Sequence, residues 1–201
     1  MDYNFLESSL KNYFEILSAK TPIPGGGSAV CCLASLSCSL LNMVLNYTIG
    51  KKGYEKYEQE IIKIKEENDK ILKECLNYIE DDSRIYEKID NAMKNRIDTE
   101  EYLKLSVNLH LNVCEYMFKI VKFCEILIEK GNKNLISDTG ISNIFAFSSF
   151  LGAKMNILIN LKYIKDENFK EGVKRKLEEI EGILKDKSRI INERVIEKIG
   201  G

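Results

Sequence analysis

Proline occurs at only two of the 201 positions, and both lie in one segment, Thr21-Pro22-Ile23-Pro24-Gly25-Gly26-Gly27-Ser28. From residue 25 onward nothing in the covalent chain forbids helix, since proline is the residue that removes a backbone donor and clashes with the preceding turn. The segment itself cannot be helical: its prolines fix φ and push their predecessors to extended forms, and three glycines follow. Ser28 is expected to be the N-cap of a helix running to about residue 49. Before the segment, residues 3–19 read as an amphipathic helix with Leu6, Leu10, Phe14 and Leu17 on one stripe. After it, Ile61, Ile64, Ile71, Leu76, Ile79, Tyr86, Ile89 and Met93 recur at helical spacing and predict one very long helix from Tyr54 to about Asn95. Asp98-Thr99-Glu100-Glu101 has the form of a capping box, opening a helix over about 99–130 that Gly131 ends. A fifth helix is expected over about 139–164, and a last, charged one from Asp166 to about Lys198. No stretch alternates as a strand would. The expectation is an all-α, single-domain bundle of about six long helices spanning residues 1–201.

The chain is 44% apolar, enough for one sizeable core. Its 30 Lys+Arg and 31 Asp+Glu leave no basic excess to argue for nucleic acid, and no basic tail argues for a membrane surface. Residues 29–49 carry no charge and are long enough to span a bilayer. Ser35, Ser37, Ser39, Asn42, Asn46 and Thr48 interrupt that stretch, and it has no second spanning partner in this reading. It reads as the buried central helix of a soluble bundle. The six cysteines form no Cys-x-x-Cys pair and fall in apolar helical stretches. With no basic leader segment at the start, they read as reduced core residues of a cytoplasmic protein. The one histidine, His110, leaves little from which to build a Cys–His pair or a metal site, so it reads as a core or interface residue.

Three features break the plain core-and-surface pattern. Three glycines before a helix expose backbone N–H groups that can meet a carboxylate, a carbonyl or a phosphate. Equally, they can mark a loop needing positive φ and close packing. Behind them Ser28, Cys32, Ser35, Ser39, Asn42 and Asn46 form a small polar stripe, suited to close helix or subunit contact and to lining a cavity near the glycines. Second, Asp82 falls on the apolar stripe Ile79–Tyr86–Ile89–Met93, while Glu80 and Asp81 are expected to point away. A buried carboxylate must be paired or shift toward its protonated form, and such a group can trade a proton with a substrate. The alternative is a structural carboxylate bonded to a helix terminus or a lysine. Third, Ser137-Asp138 sits where an N-cap belongs, and Asn156 and Asn160 share a face one turn apart with Ser149 and Ala153. Their partners are either neighbouring backbone or the polar edge of a heterocycle.

These motifs, in this order, resemble the cyclodeaminase domain of the formiminotransferase-cyclodeaminases and the related stand-alone methenyltetrahydrofolate cyclohydrolases. The resemblance covers about residues 6–185. It rests on Thr21 to Ala29, on Met43-Val44 with Thr48-Ile49-Gly50-Lys51-Lys52, and on Asp82 followed by Tyr86. It continues through Gly131 to Asp138, Asn156 to Leu161, and Ile164 to Glu167. It implies an all-α fold, at least a homodimer, and a folate pocket at a helix interface. It also implies conversion of 5-formiminotetrahydrofolate to 5,10-methenyltetrahydrofolate and ammonia. Alternatives are hydrolysis of the methenyl compound on the same scaffold, or folate binding without catalysis. The family's acid/base carboxylate falls on Asp82, its glycine-rich entry on Pro24, Gly25, Gly26, Gly27 and Ser28, and its Ser-Asp pair on Ser137 and Asp138. Asn156 and Asn160 become candidates for the folate ring, and Lys51, Lys52 and Lys133 for its glutamate tail. The tetrahydrofolate derivative is a substrate, and neither reaction calls for a metal or a permanently bound cofactor. Where the family carries Leu-Pro-Lys after the acidic motif, this chain has Met93-Lys94-Asn95-Arg96-Ile97, which puts Lys94 or Arg96 nearest the displaced basic position.

Overall fold

A computed structural model describes residues 4–200 and contains six α-helices and two 3₁₀ turns, with no strand among the described residues. In chain order the helices are α1 (Leu10–Ser18), α2 (Gly26–Asn46), α3 (Glu58–Lys94), α4 (Glu100–Lys130), α5 (Ile136–Leu161) and α6 (Glu167–Gly200). The 3₁₀ turns, Glu55–Tyr57 and Lys133–Leu135, lead into α3 and α5. The all-α bundle expected from the proline-free pattern is the fold. α2 packs between α3 and α5, α4 packs on α5 and α3, and α6 covers α4 and α5. Cys31, Ala34, Cys38, Leu41, Leu45, Val113, Met117, Ile120, Phe150 and Ile157 lie at the centre with no exposed surface.

The ends of the elements depart from the sequence reading for identifiable reasons. Residues 5–8 form a turn, and α1 begins only at Leu10, capped by the Ser9 hydroxyl accepting from the Asn12 N–H at 3.1 Å. The stripe Leu6–Leu10–Phe14 faces outward, and Phe5 and Tyr13 are buried in its place. The short helix carries apolar residues on two faces, and the Tyr13 hydroxyl, 3.0 Å from Ser28 Oγ, selects the inner one. The same turn lies over α3 at Glu80, so this residue is buried rather than pointing away. Its carboxylate accepts from Arg84 at 2.9 Å and from the Leu6 N–H at 3.5 Å.

The N-cap of α2 is Gly25, not Ser28, which stands inside the first turn. At α4 the Thr99 side chain caps nothing; Asp98 Oδ1 accepts from the Glu100 N–H at 3.1 Å, and Glu100 instead accepts from the Asp166 N–H at 3.0 Å. Asp166 caps α6 as expected, accepting from the Phe169 N–H at 3.0 Å. α5 starts three residues early, because Asn132 opens the preceding 3₁₀ turn and leaves Ser137 and Asp138 in the first helical turn.

α2 is not the only stretch with the length and apolarity of a membrane span: Lys133–Leu161 qualifies too. The two pack against each other inside the bundle. Outward from that contact, α5 presents Ile141, Ile144, Met155, Leu158 and Ile159 as an exposed apolar stripe at helical spacing.

Candidate active site

A cavity of about 290 Å³ opens at the N-terminal end of α2. Pro22, Ile23 and Gly25–Gly27 form its rim. Asp82, Tyr86 and Ile89 come from α3, Ser106 and His110 from α4, and Asn156, Ile159 and Asn160 from α5. The apolar stripe of α3 thus leaves the core where the cavity begins: Ile89 is buried, whereas Tyr86 and Met93 are exposed.

The three glycines have different reasons to be glycine. None of them adopts a positive φ; that conformation is found at Gly50 and Gly53. A Cβ on Gly25 would meet nothing within 4 Å, and one on Gly26 would only reach Asn156 Oδ1 at 4.0 Å. A Cβ on Gly27 would fall 2.1 Å from Asp82 Oδ1. The Asp82 carboxyl therefore rests directly on the backbone of the first turn of α2. The Ser28 N–H, one of the four donors a helix start leaves without an internal partner, donates to it. This makes Asp82 a cap supplied from another helix, and the positive end of the α2 dipole lies beside it. The glycine run does present N–H to a carboxylate, and the carboxylate is the protein's own.

Asp82 is largely buried, with 14% of its side chain exposed. Desolvation raises its pKa above the usual carboxylate range, opposed by charge interaction with His110 and by the Ser28 N–H. His110 is fully buried on α4. Its Nδ1 lies 2.9 Å from the Ser106 carbonyl oxygen, and its Nε2 lies 3.6 Å from Asp82 Oδ1. Burial lowers the imidazole pKa, opposed by Asp82 and by the Ser106 carbonyl. One polar chain crosses the bundle through these groups. Asn160 Nδ2 donates to Ser106 Oγ at 2.9 Å, the Ser106 carbonyl holds His110, His110 faces Asp82, Asp82 accepts from Ser28, and Ser28 Oγ meets Tyr13. Asn156 Nδ2 has only a long bond of 3.3 Å to its own helix, at the Gly152 carbonyl, so its amide is available at the cavity wall.

The sequence reading placed Asp82, Gly25, Gly26, Gly27, Asn156 and Asn160 at the site, and all six line this cavity. Pro24 and Ser28 are buried immediately behind the rim. Lys51, Ser137 and Asp138 are not brought to it. They stand at the other end of α2, whose 21 residues at 1.5 Å rise put them about 30 Å away. There Lys51 Nζ donates to Asn132 Oδ1 at 2.9 Å. The basic groups of the altered segment are also outside the lining: Lys94 pairs with Asp90 at 2.5 Å, and Arg96 sits in a left-handed conformation at φ 56. His110 is the group sequence reasoning assigned to the core without giving it a partner. The signal for it was indirect, namely that a carboxylate on an apolar stripe needs one.

The family model described as formiminotransferase-cyclodeaminase matches residues 9–179. The chain belongs to the formiminotransferase-cyclodeaminase family. A methenyltetrahydrofolate cyclohydrolase from Methylorubrum extorquens is 29% identical over 202 residues, covering 95% of each chain. The rat formimidoyltransferase-cyclodeaminase is 23% identical over 187 residues, which are 88% of this chain and 35% of that one. The crystal structure of formiminotetrahydrofolate cyclodeaminase from Thermotoga maritima superposes with a TM-score of 0.91 at 30% identity, covering 98% of this chain and all of the other. Family membership and fold therefore extend over nearly the whole chain.

No cysteine lines this cavity. Burial pushes Cys114 and Cys124 up to about 12 and raises Cys31 and Cys32, which keeps them protonated and poor nucleophiles.

Proposed function

We propose that this chain converts 5-formiminotetrahydrofolate to 5,10-methenyltetrahydrofolate and ammonia, with Asp82 as general acid and base. The observation that carries the reading is one carboxyl group, desolvated and held by the Ser28 N–H, in a cavity walled by Tyr86, Ile89, Asn156, Ile159 and Asn160. The apolar walls suit a pterin face, and the two amides suit its polar edge. N10 attacks the carbon of the protonated formimino group (–CH=NH2+), forming a third C–N bond at that carbon, and its proton passes to the Asp82 carboxylate. The carboxyl then protonates the exocyclic amine, the C–N bond to that amine breaks, and ammonia leaves as the methenyl cation forms. One group serves both steps because its raised pKa brings its acid and base forms closer to balance near neutrality.

A second reading, hydrolysis of 5,10-methenyltetrahydrofolate, is favoured by the bacterial cyclohydrolase relative of matching length. There Asp82 would take a proton from the water that adds to the methenyl carbon. The two reactions separate in one assay format. Methenyl absorbance should rise when the protein meets 5-formiminotetrahydrofolate; accelerated loss from 5,10-methenyltetrahydrofolate assigns the hydrolase instead. No change with either substrate, while folate still binds, would leave a non-catalytic binding protein and end the enzyme reading.

The exposed apolar stripe of α5, together with Leu10, Phe14 and Leu36 of α1 and α2, supports a homodimer. Within one chain Lys51, Ser137 and Asp138 do not reach the cavity, so they contact substrate only where a second copy carries them there. Light scattering should give twice the chain mass; a monomer at micromolar concentration would remove the dimer from this reading. Six unpaired cysteines support a cytoplasmic location.

A further inference from the structure

His110 has no role in the steps above, yet it is built into the site more firmly than a core residue requires. Its ring is 1% exposed. A carbonyl oxygen can only accept, so Nδ1, at 2.9 Å from the Ser106 carbonyl, carries the hydrogen. In the neutral ring Nε2 is then a bare lone pair, buried and without a hydrogen-bond partner. It is aimed at Asp82 Oδ1, 3.6 Å away, just beyond hydrogen-bond distance. Ser106 is itself held from α5 by Asn160, so the imidazole is fixed from behind while its open nitrogen faces the carboxyl.

We propose that His110 is the positioning residue that sets the charge state of Asp82. Nε2 takes the carboxyl proton before Asp82 acts as a base, and returns it once Asp82 has passed the N10 proton to the leaving amine. In the first event the Asp82 O–H bond breaks and an Nε2–H bond forms, giving imidazolium and carboxylate; the second reverses it, so no outside proton is consumed. An approach of about half an ångström closes the pair to bonding distance, the tightening that sites without substrate commonly show on binding it. This deepens the proposed function and rests on Asp82 being the acid/base group.

The groups facing the pair fit such a role. Asp82 acts on Cys31 of α2 and Tyr13 of α1, and burial raises both, so they stay neutral near neutral pH. Asp81 and Glu80 on α3 are both paired with Arg84. The polar groups that α5 contributes to the cavity are the uncharged amides of Asn156 and Asn160. The charge set against Asp82 across the site is that of His110, and the reverse holds as well.

The single histidine makes the test direct, since imidazole NMR signals of the full chain come from one residue. In the parent the neutral ring should carry its hydrogen on Nδ1. In Asp82→Asn the titration of the ring should move to lower pH, because the cation has lost its opposite charge. In the reciprocal variants, His110→Asn and His110→Gln, the acid limb of kcat/KM should move to higher pH by about one unit or more, the effect of removing an opposite charge at this range. A purely structural histidine would lower activity or stability and leave that limb where it is. An unmoved limb in whichever variant folds, or an NMR titration indifferent to Asp82→Asn, overturns the proposal. If neither variant folds, the NMR comparison decides. Full activity in Asp82→Asn would instead overturn the proposed function itself, so the two failures are distinguishable.

Discussion

The two ends of α2 carry the two best-marked motifs of the chain and use their polar groups in opposite ways. At the far end, polar groups satisfy one another. Asn132 donates to the Tyr47 carbonyl and to Thr48 Oγ1, and accepts from Lys51 and from the Asn134 N–H. The Lys133 N–H reaches the Tyr54 hydroxyl, and Glu58 accepts from the Gly50 N–H. The result is a clasp tying the α2–α3 and α4–α5 connections together. At the near end, Asp82 is desolvated, Nε2 of His110 has no partner, and the Asn156 amide is only loosely held. Buried polar groups are ordinarily paired, so a cluster that is not fully paired points to chemistry, whereas a closed network points to architecture.

Changes that separate the two ends should differ in kind. Apart from replacing Asp82 itself, the largest effect belongs to Gly27→Ala. Its Cβ would displace the Asp82 carboxyl, so kcat/KM should fall by about 10²-fold and stability by about 1–3 kcal/mol. Gly25→Ala and Gly26→Ala have room for the methyl group and should lose no stability, gaining up to about 1 kcal/mol from the unfolded chain. Denaturant titration of the three variants would contradict this account of the glycine run if all three lost equally.

At the clasp, Asn132→Ala keeps the backbone bond to Thr48 but removes the amide from the Tyr47 carbonyl, the Asn134 N–H and Lys51, and should cost about 1–3 kcal/mol. That lowers Tm by about 2–4 °C per kcal/mol for a chain of this size. A loss of activity with an unchanged Tm would move Asn132 from architecture to chemistry.

At the cavity the stability effect should have the opposite sign. Asp82 has a folded-state pKa raised by desolvation, so its favourable contribution is complete in acid, below the unfolded value. That contribution disappears as pH rises through the folded value. Asp82→Asn should therefore melt above the parent at neutral and alkaline pH, with the gap closing as pH falls. A gap that widens in acid would contradict the assigned direction.

The smallest effect is expected outside both ends. α3 stops in a Schellman motif, with the Ile97 N–H bonded to the Ala92 carbonyl and the Arg96 N–H to the Met93 carbonyl. The left-handed position is held by Arg96, so Arg96→Gly should stabilise by about 0.5–1 kcal/mol in the same denaturant titration.

Periodicity and the confinement of proline made the helices legible, because both act through neighbours in sequence. Asp82 was legible for the same reason, as a charge on an apolar stripe. What sequence could not reveal is contact at long range. The cap of α2 comes from α3, so the local pattern favoured Ser28 over Gly25. The Tyr13–Ser28 bond selects the inner face of α1, which the leucine stripe mis-stated. The pairing of His110 with Asp82 joins α4 to α3, and no spacing rule connects them. The clasp had the same opacity: Lys51 and Ser137-Asp138 matched family motifs, and only the path of α2 separates them from the cavity by its full length.

On the proposed function, chemistry resides at the glycine end of α2 and turns on one carboxyl group. The most direct measurement is kcat/KM of Asp82→Asn beside the parent, on both folate substrates, at a temperature where both are folded. A fall of about 10²- to 10⁴-fold, with a Tm no lower than the parent's at neutral pH, is the predicted result. Activity retained within about threefold would place the acid/base group elsewhere and contradict the account.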